Sequence, residues 1–138
     1  KKKKVEFYDD YAHHPTEIKS VLEAVKKVAA KRKIITIFQP HRYSRLRTLK
    51  LEFVKCFKNT DQLILCPVYA AGESIDKKYN SFKFAKLISK FSKVQVVIVE
   101  NELDIVKYLK KILISDEVVI GMGAGSISKW MSNLKNNL

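Results

Sequence analysis

No apolar run in the 138 residues approaches the roughly 18 that a membrane-spanning helix requires. The basic start at residues 1–4 is not followed by the apolar stretch of a secretory signal. Together these absences predict a soluble, cytoplasmic chain with no membrane partner. Cysteine is nearly missing as well: Cys56 and Cys66 are the only two, with neither a CxxC pair nor a His at metal-ligand spacing. Both are expected to be buried free thiols in a core that needs no disulfide, and no metal site is expected. There is also no GxxxxGK[ST] loop to cradle a triphosphate.

Acidic residues are few, 14 against 27 basic ones, for a formal charge of +13. Such a charge attracts nucleic acid, anionic membrane or a polyanionic substrate. The lysines are spread, however, and lie mostly on the polar sides of helical patterns, where a solvated face is the ordinary explanation. The expectation is therefore no nucleic-acid partner. A non-enzymatic basic module for RNA or DNA is kept as a rival reading, which requires steeply salt-dependent binding. What is plentiful is apolar sequence, 46% of the chain, enough for one core over residues 1–138.

The apolar residues alternate between two periodicities. Residues 3–8, 33–38, 62–68, 94–99 and 117–122 read as strands. Between them come helical patterns. Pro15 opens the first, with Ile18, Val21, Leu22, Val25 and Val28 on one face. The next carries Leu46, Leu49, Phe53 and Phe57, and a third carries Phe84, Leu87, Ile88 and Phe91. A fourth spans about residues 103–113, and the last carries Ile127, Trp130, Met131 and Leu134. Strands apolar on both faces and separated by helices predict an α/β fold: a Rossmann-like, open, mostly parallel sheet with helices on both faces. Ligands of such sheets bind outside the carboxyl ends of the strands, so chemistry is sought in the turns after each strand.

The first such turn holds Asp9, Asp10, Tyr11, Ala12, His13 and His14 at the start of a helix. Singly, Asp10 would accept local backbone hydrogen bonds and the histidines would cap the helix end; the whole cluster points to a site. The second turn holds Gln39, Pro40, His41, Arg42, Tyr43, Ser44 and Arg45. Arg42 and Arg45, three apart, can face one ligand, and guanidinium forks match a carboxylate or phosphate, with helix N-terminal amides adding to the attraction. Arg47 reads as a solvated surface residue.

Because consecutive parallel strands are commonly neighbours, these two turns are expected to meet at one rim. Residues 69–73 follow the third strand there, where Glu73 would bind an amine or face water. Gly121 lies at the end of the last strand, and Gly123 and Gly125 follow it. Their GxGxG spacing is not the dinucleotide fingerprint, and close helix packing explains at least one of them as readily as phosphate approach.

Four segments, DDYAHHPTEI at 9–18, FQPHRYSR at 38–45, YAAGE at 69–73 and GAGSI at 123–127, resemble the Mur ligases of peptidoglycan synthesis. Within that family the likeness is to the branch that joins L-alanine to UDP-N-acetylmuramate. The resemblance implies the C-terminal, Rossmann-like domain of a three-domain enzyme, which receives the amino acid and closes over ATP and Mg²⁺ held mainly by the central domain. It also implies that Tyr11, His13, Arg42 and Arg45 line an L-alanine pocket, with the arginines on its carboxylate, and that Asp10 approaches the ATP ribose. No catalytic side chain is assigned to this chain. The implied N-terminal UDP-binding and central ATPase domains are not recognisable in it, so alone it is expected to be inactive. The abrupt lysine-rich start looks like a domain cut at a linker. A murein-peptide-recycling ligase, which attaches a preformed peptide, is the nearest rival, and QPHRYSR argues against it.

Overall fold

A computed structural model describes residues 4–138. Five strands, β1 (Glu6–Asp10), β2 (Ile34–Phe38), β3 (Gln62–Leu65), β4 (Gln95–Ile98) and β5 (Val118–Met122), form one sheet in the order β1-β5-β2-β3-β4. All four pairings are parallel. Six helices connect or follow them: α1 (Pro15–Ala29), α2 (Tyr43–Thr48), α3 (Lys50–Lys55), α4 (Ser81–Ser92), α5 (Glu102–Ile112) and α6 (Ile127–Asn137). No helix among the described residues is long and apolar enough to cross a membrane.

The period of two in β2 splits the core. Ile34 and Phe38 join Ile18 and Leu22 of α1, Phe53 of α3 and Phe84 and Ile88 of α4 on one face. Ile35 and Ile37 join Ile105 and Leu109 of α5 and Met131 and Leu134 of α6 on the other. Helices thus cover both faces, as an all-parallel sheet requires. Cys56 lies in the first cluster and Cys66 in the second, both buried and free.

Several expectations need correction. Strands apolar on both faces are found only in the centre, in β2, β3 and β5; the edge strands β1 and β4 are partly exposed. The first strand lies later than the apolar pattern suggests, and Lys3 falls outside the described residues. Parallel pairing with β5 extends it through Asp9↔Gly121 and Asp10↔Met122, so both aspartates end a strand instead of opening a turn. The third strand stops at Leu65, just before Pro67, which has no amide to donate to a ladder. Val28, assigned to the buried face of α1, is 67% exposed. The 46–57 pattern is two short helices broken at Leu49, whose backbone leaves helical geometry at φ −113° and ψ 22°. β1 and β2 are not neighbours, because β5 lies between them.

Candidate functional site

The turns after β1 and β2 nevertheless meet, because β5 ties them together at the carboxyl rim. The Gly123 amide donates to the Asp10 carbonyl at 3.3 Å, and the Gln39 amide donates to the Met122 carbonyl at 3.0 Å. Across this join the His13 and His41 rings approach to 5.8 Å between centroids. The third turn is attached by a bridge between His41 and Tyr69, with the Arg42 amide donating to the Tyr69 carbonyl at 2.8 Å.

The turn before α1 is built by its own acids. Asp10 Oδ1 accepts from the Ala12 amide at 2.8 Å, which folds the chain back over the strand end. Glu17 Oε1 accepts from the amides of His13 and His14 at 3.2 and 3.1 Å. Those two donors, His14 foremost, hold the Glu17 carboxyl below its ordinary range. Glu17 therefore shares the capping of the helix with His14, the two forming a capping box. Sequence reasoning passed over Glu17, although an acid three residues into a helix opened by Pro15 is a recognisable capping signal.

The His13 imidazole is engaged differently. His13 Nδ1 lies 3.0 Å from the Tyr11 carbonyl, which can only accept, so this nitrogen carries a proton. The Tyr11 ring packs edge-on against His13 at 5.6 Å and is itself 70% exposed.

On the other side of the rim, Arg45 donates from one terminal nitrogen to His41 Nδ1 at 2.9 Å and to the His41 carbonyl at 3.2 Å. Burial, then the Arg45 charge, then His13 and Arg42, push the His41 pKa down, so its ring is neutral. Arg42 stands at the N-cap of α2 with φ 73°, a conformation that costs a non-glycine residue about 1–3 kcal/mol. Its exposed guanidinium has no hydrogen-bond or ion-pair partner among the described residues.

Glu73 is only partly buried and is also engaged within the chain. It accepts from the Ser44 amide at 3.2 Å and from the Ser44 hydroxyl, and these bonds lower its pKa. The Ser44 amide in the first turn of α2 is thus already engaged. Arg47 is also engaged, in an ion pair with Asp76 at 2.6 Å.

The glycine turn is explained by packing. A Cβ on Gly121 would meet Met131 Cγ at 2.4 Å, and one on Gly125 would meet the Tyr69 ring at 2.5 Å. The post that holds this turn is Gln39, 3% exposed, which donates to Ser126 Oγ at 2.8 Å and accepts from the Ile127 amide at 3.1 Å. A buried glutamine directly after an apolar strand was the available signal, and it was not used. Asp9 turns toward α6, accepting from Ser128 Oγ at 2.5 Å.

Tyr11, His13, Arg42 and Arg45 therefore occupy one open rim, with Asp10 at its base. A hollow of about 240 Å³, lined by Tyr43, Leu46, Arg47, Asp76, Tyr79 and Phe84 among others, contains none of these five predicted residues. Among the described residues no three His, Cys, Asp or Glu side chains converge as a metal site.

Residues 1–125 match the family model of the Mur ligase glutamate ligase domain. The chain belongs to the Mur ligase family. It is 50% identical over 93% of its length to the UDP-N-acetylmuramate–L-alanine ligase of Pelagibacter ubique, and 43% identical over its whole length to the ligase of the same name from Fusobacterium nucleatum. It spans 28% of the length of each of these Mur ligases. Among solved structures, the UDP-N-acetylmuramate-alanine ligase of Thermotoga maritima superposes with a TM-score of 0.72 at 26% identity, covering 96% of this chain and 26% of that one. A murein peptide ligase from Psychrobacter arcticus gives a TM-score of 0.75 at 18% identity, covering 96% of this chain and 27% of that one. At that identity the likeness is one of fold alone, so the Mur ligase fold does not by itself separate the two kinds of enzyme.

Proposed function

We propose that residues 1–138 are the amino-acid-binding C-terminal domain of a three-domain, ATP-dependent ligase that joins L-alanine to UDP-N-acetylmuramate. The observation that carries this reading is the convergence of His13, His41 and Arg45 beside an unpaired Arg42 on one rim. That rim stands in a chain half-identical to a relative named for this reaction.

In this reading Arg42 takes the alanine carboxylate, and Arg45 offers the guanidinium N–H groups that His41 does not use. Two guanidinium forks fix a carboxylate in direction as well as position. Tyr11 and His13 close the other side. Asp10 Oδ1 is committed to Ala12, so an approach to the ATP ribose falls to the other carboxylate oxygen.

The chemistry divides between domains. Transfer of the ATP γ-phosphoryl group to the lactyl carboxylate of the sugar gives an acyl phosphate; attack by the alanine amine on the acyl carbon then forms the amide and releases phosphate. Mg²⁺, held by the central domain, neutralises charge on the transferring phosphoryl group. This domain supplies the second half: holding alanine by its carboxylate makes the amine attack effectively intramolecular. The isolated domain is inactive in this account, because its rim is only one wall of the cleft. ATP and a UDP-sugar as substrates assign the reaction to the cytoplasm.

The test is substrate choice by the domain joined to its two preceding domains, supplied with ATP, Mg²⁺, UDP-N-acetylmuramate and either L-alanine or a preformed murein peptide. Ligation of L-alanine supports the proposal. Ligation of the peptide with alanine ignored would transfer the domain to the recycling class.

A further inference from the structure

We propose that His41 is a positioning residue: its imidazole, stacked on Tyr69, holds the Arg45 guanidinium through Nδ1 and so sets the direction of the carboxylate clamp. The inference rests on the alanine-binding reading and gives His41 a role that this reading leaves open.

The argument begins with donors and acceptors. A guanidinium only donates and stays charged, so the 2.9 Å contact between Arg45 and His41 requires a lone pair on Nδ1 and puts the ring proton on Nε2. One terminal nitrogen of Arg45 serves both Nδ1 and the His41 carbonyl, which leaves the remaining N–H groups of the fork for a ligand.

The imidazole is itself held. Its plane lies 14° from that of Tyr69, with centroids 5.6 Å apart. Tyr69 is fixed by its backbone, its amide donating to the Pro40 carbonyl at 2.8 Å and its carbonyl accepting from Arg42 at 2.8 Å. Its ring rests over Gly125, where any Cβ would collide with it. A continuous series of contacts therefore runs from the glycine turn through Tyr69 and His41 to Arg45.

This arrangement makes the clamp sensitive to acid. The charged and titratable groups facing His41 are His13 from the β1–α1 turn, Arg42 at the N-cap of α2, Arg45 in α2, Tyr69 stacked on the ring, and Glu73 from the β3–α4 loop. Burial and the cations outweigh the single carboxylate and keep the ring neutral below the ordinary histidine range. Protonation would place a hydrogen on Nδ1 facing Arg45, removing the acceptor and adding like-charge repulsion. Arg45 would then leave its position.

The test uses the full-length enzyme and two variants. His41→Phe keeps a ring to stack on Tyr69 and deletes the acceptor. His41→Asn keeps an acceptor near the place of Nδ1 and cannot be protonated. KM values for L-alanine, ATP and UDP-N-acetylmuramate are measured, together with inhibition by L-lactate, which carries the carboxylate without the amine, from about pH 5.5 to about pH 8.

His41→Phe is expected to raise the alanine KM about tenfold, the scale of a lost hydrogen bond to a charged group, leaving the other two KM values unchanged. His41→Asn should recover most of the loss. Lactate inhibition should weaken with acid in the wild type more steeply than in His41→Asn, with His13 present in both. An unchanged alanine KM in His41→Phe, or identical lactate profiles in wild type and His41→Asn, overturns the proposal. If His41→Phe does not fold, the profile of His41→Asn decides alone. A wild-type enzyme that does not use L-alanine at all defeats the parent reading instead.

Discussion

Glu73 caps the first turn of α2 by accepting from both the amide and the hydroxyl of Ser44, 29 residues earlier in the chain. This fixes the helix that carries Arg45 and the strained N-cap Arg42 to the loop after β3. Glu73→Ala should lower the melting temperature and raise the alanine KM of the full-length enzyme, while Glu73→Gln, which keeps an acceptor, should be milder in both. Equal effects of the two variants would mean that the charge matters and the cap does not.

Gly125 gives a second handle on the rim. The atom nearest a new Cβ is Tyr69 Cγ, at the root of a rigid ring, so the ring and not a flexible tip must move. Gly125→Ala is expected to destabilise by about 1–3 kcal/mol, as overpacking does, and to weaken alanine binding through displaced His41. Denaturant unfolding and the alanine KM check the two effects separately. A variant with native values of both would show that the turn is looser than its packing indicates.

Stability should fall in two stages on acidification. His41 has a folded pKa below its ordinary 6.5, so below that pH the unfolded chain binds more protons and stability drops as pH falls. Glu17, also depressed, from an ordinary 4.5, adds a second loss of the same sign at lower pH. Both contributions are fully present at neutral pH. Urea unfolding across this range should show the first stage in wild type and not in His41→Asn, with the second kept by both; a first stage unaltered by that substitution would contradict the assignment.

The thiols should be inert. Burial pushes both Cys56 and Cys66 up to about 12, and they lie in core clusters on opposite faces of the sheet. Thiol reagents at about pH 8 should label neither in the native protein and both after unfolding, since reactivity follows the thiolate. Prompt labelling of Cys66 in the native state would mean that the α5–α6 face opens.

How much of this was legible in the sequence follows from what each feature depends on. The central strands β2, β3 and β5 could be read because burial on both faces writes itself as a mostly apolar run, with Thr36 in β2 and Gln62 in β3 the polar exceptions. The end of β1 could not, because its last pairs are set by β5, more than a hundred residues away. Arg42, Arg45 and His13 were legible as types of residue in turns after strands. The partner of Arg45 was not, because either neighbouring turn could have supplied it. The role of Glu73 stayed open for a related reason: a carboxylate following a glycine carries no mark of the helix it will cap.

The central claim is that Arg42 and Arg45 hold the carboxylate of the incoming alanine. Steady-state kinetics of Arg42→Ala, Arg45→Ala and the double variant in the full-length enzyme test it most directly. The account predicts that each single variant raises the alanine KM by about tenfold or more, as loss of a charge-assisted carboxylate contact should, with the KM values for ATP and UDP-N-acetylmuramate unchanged. An alanine KM that stays at its wild-type value in the double variant would contradict it.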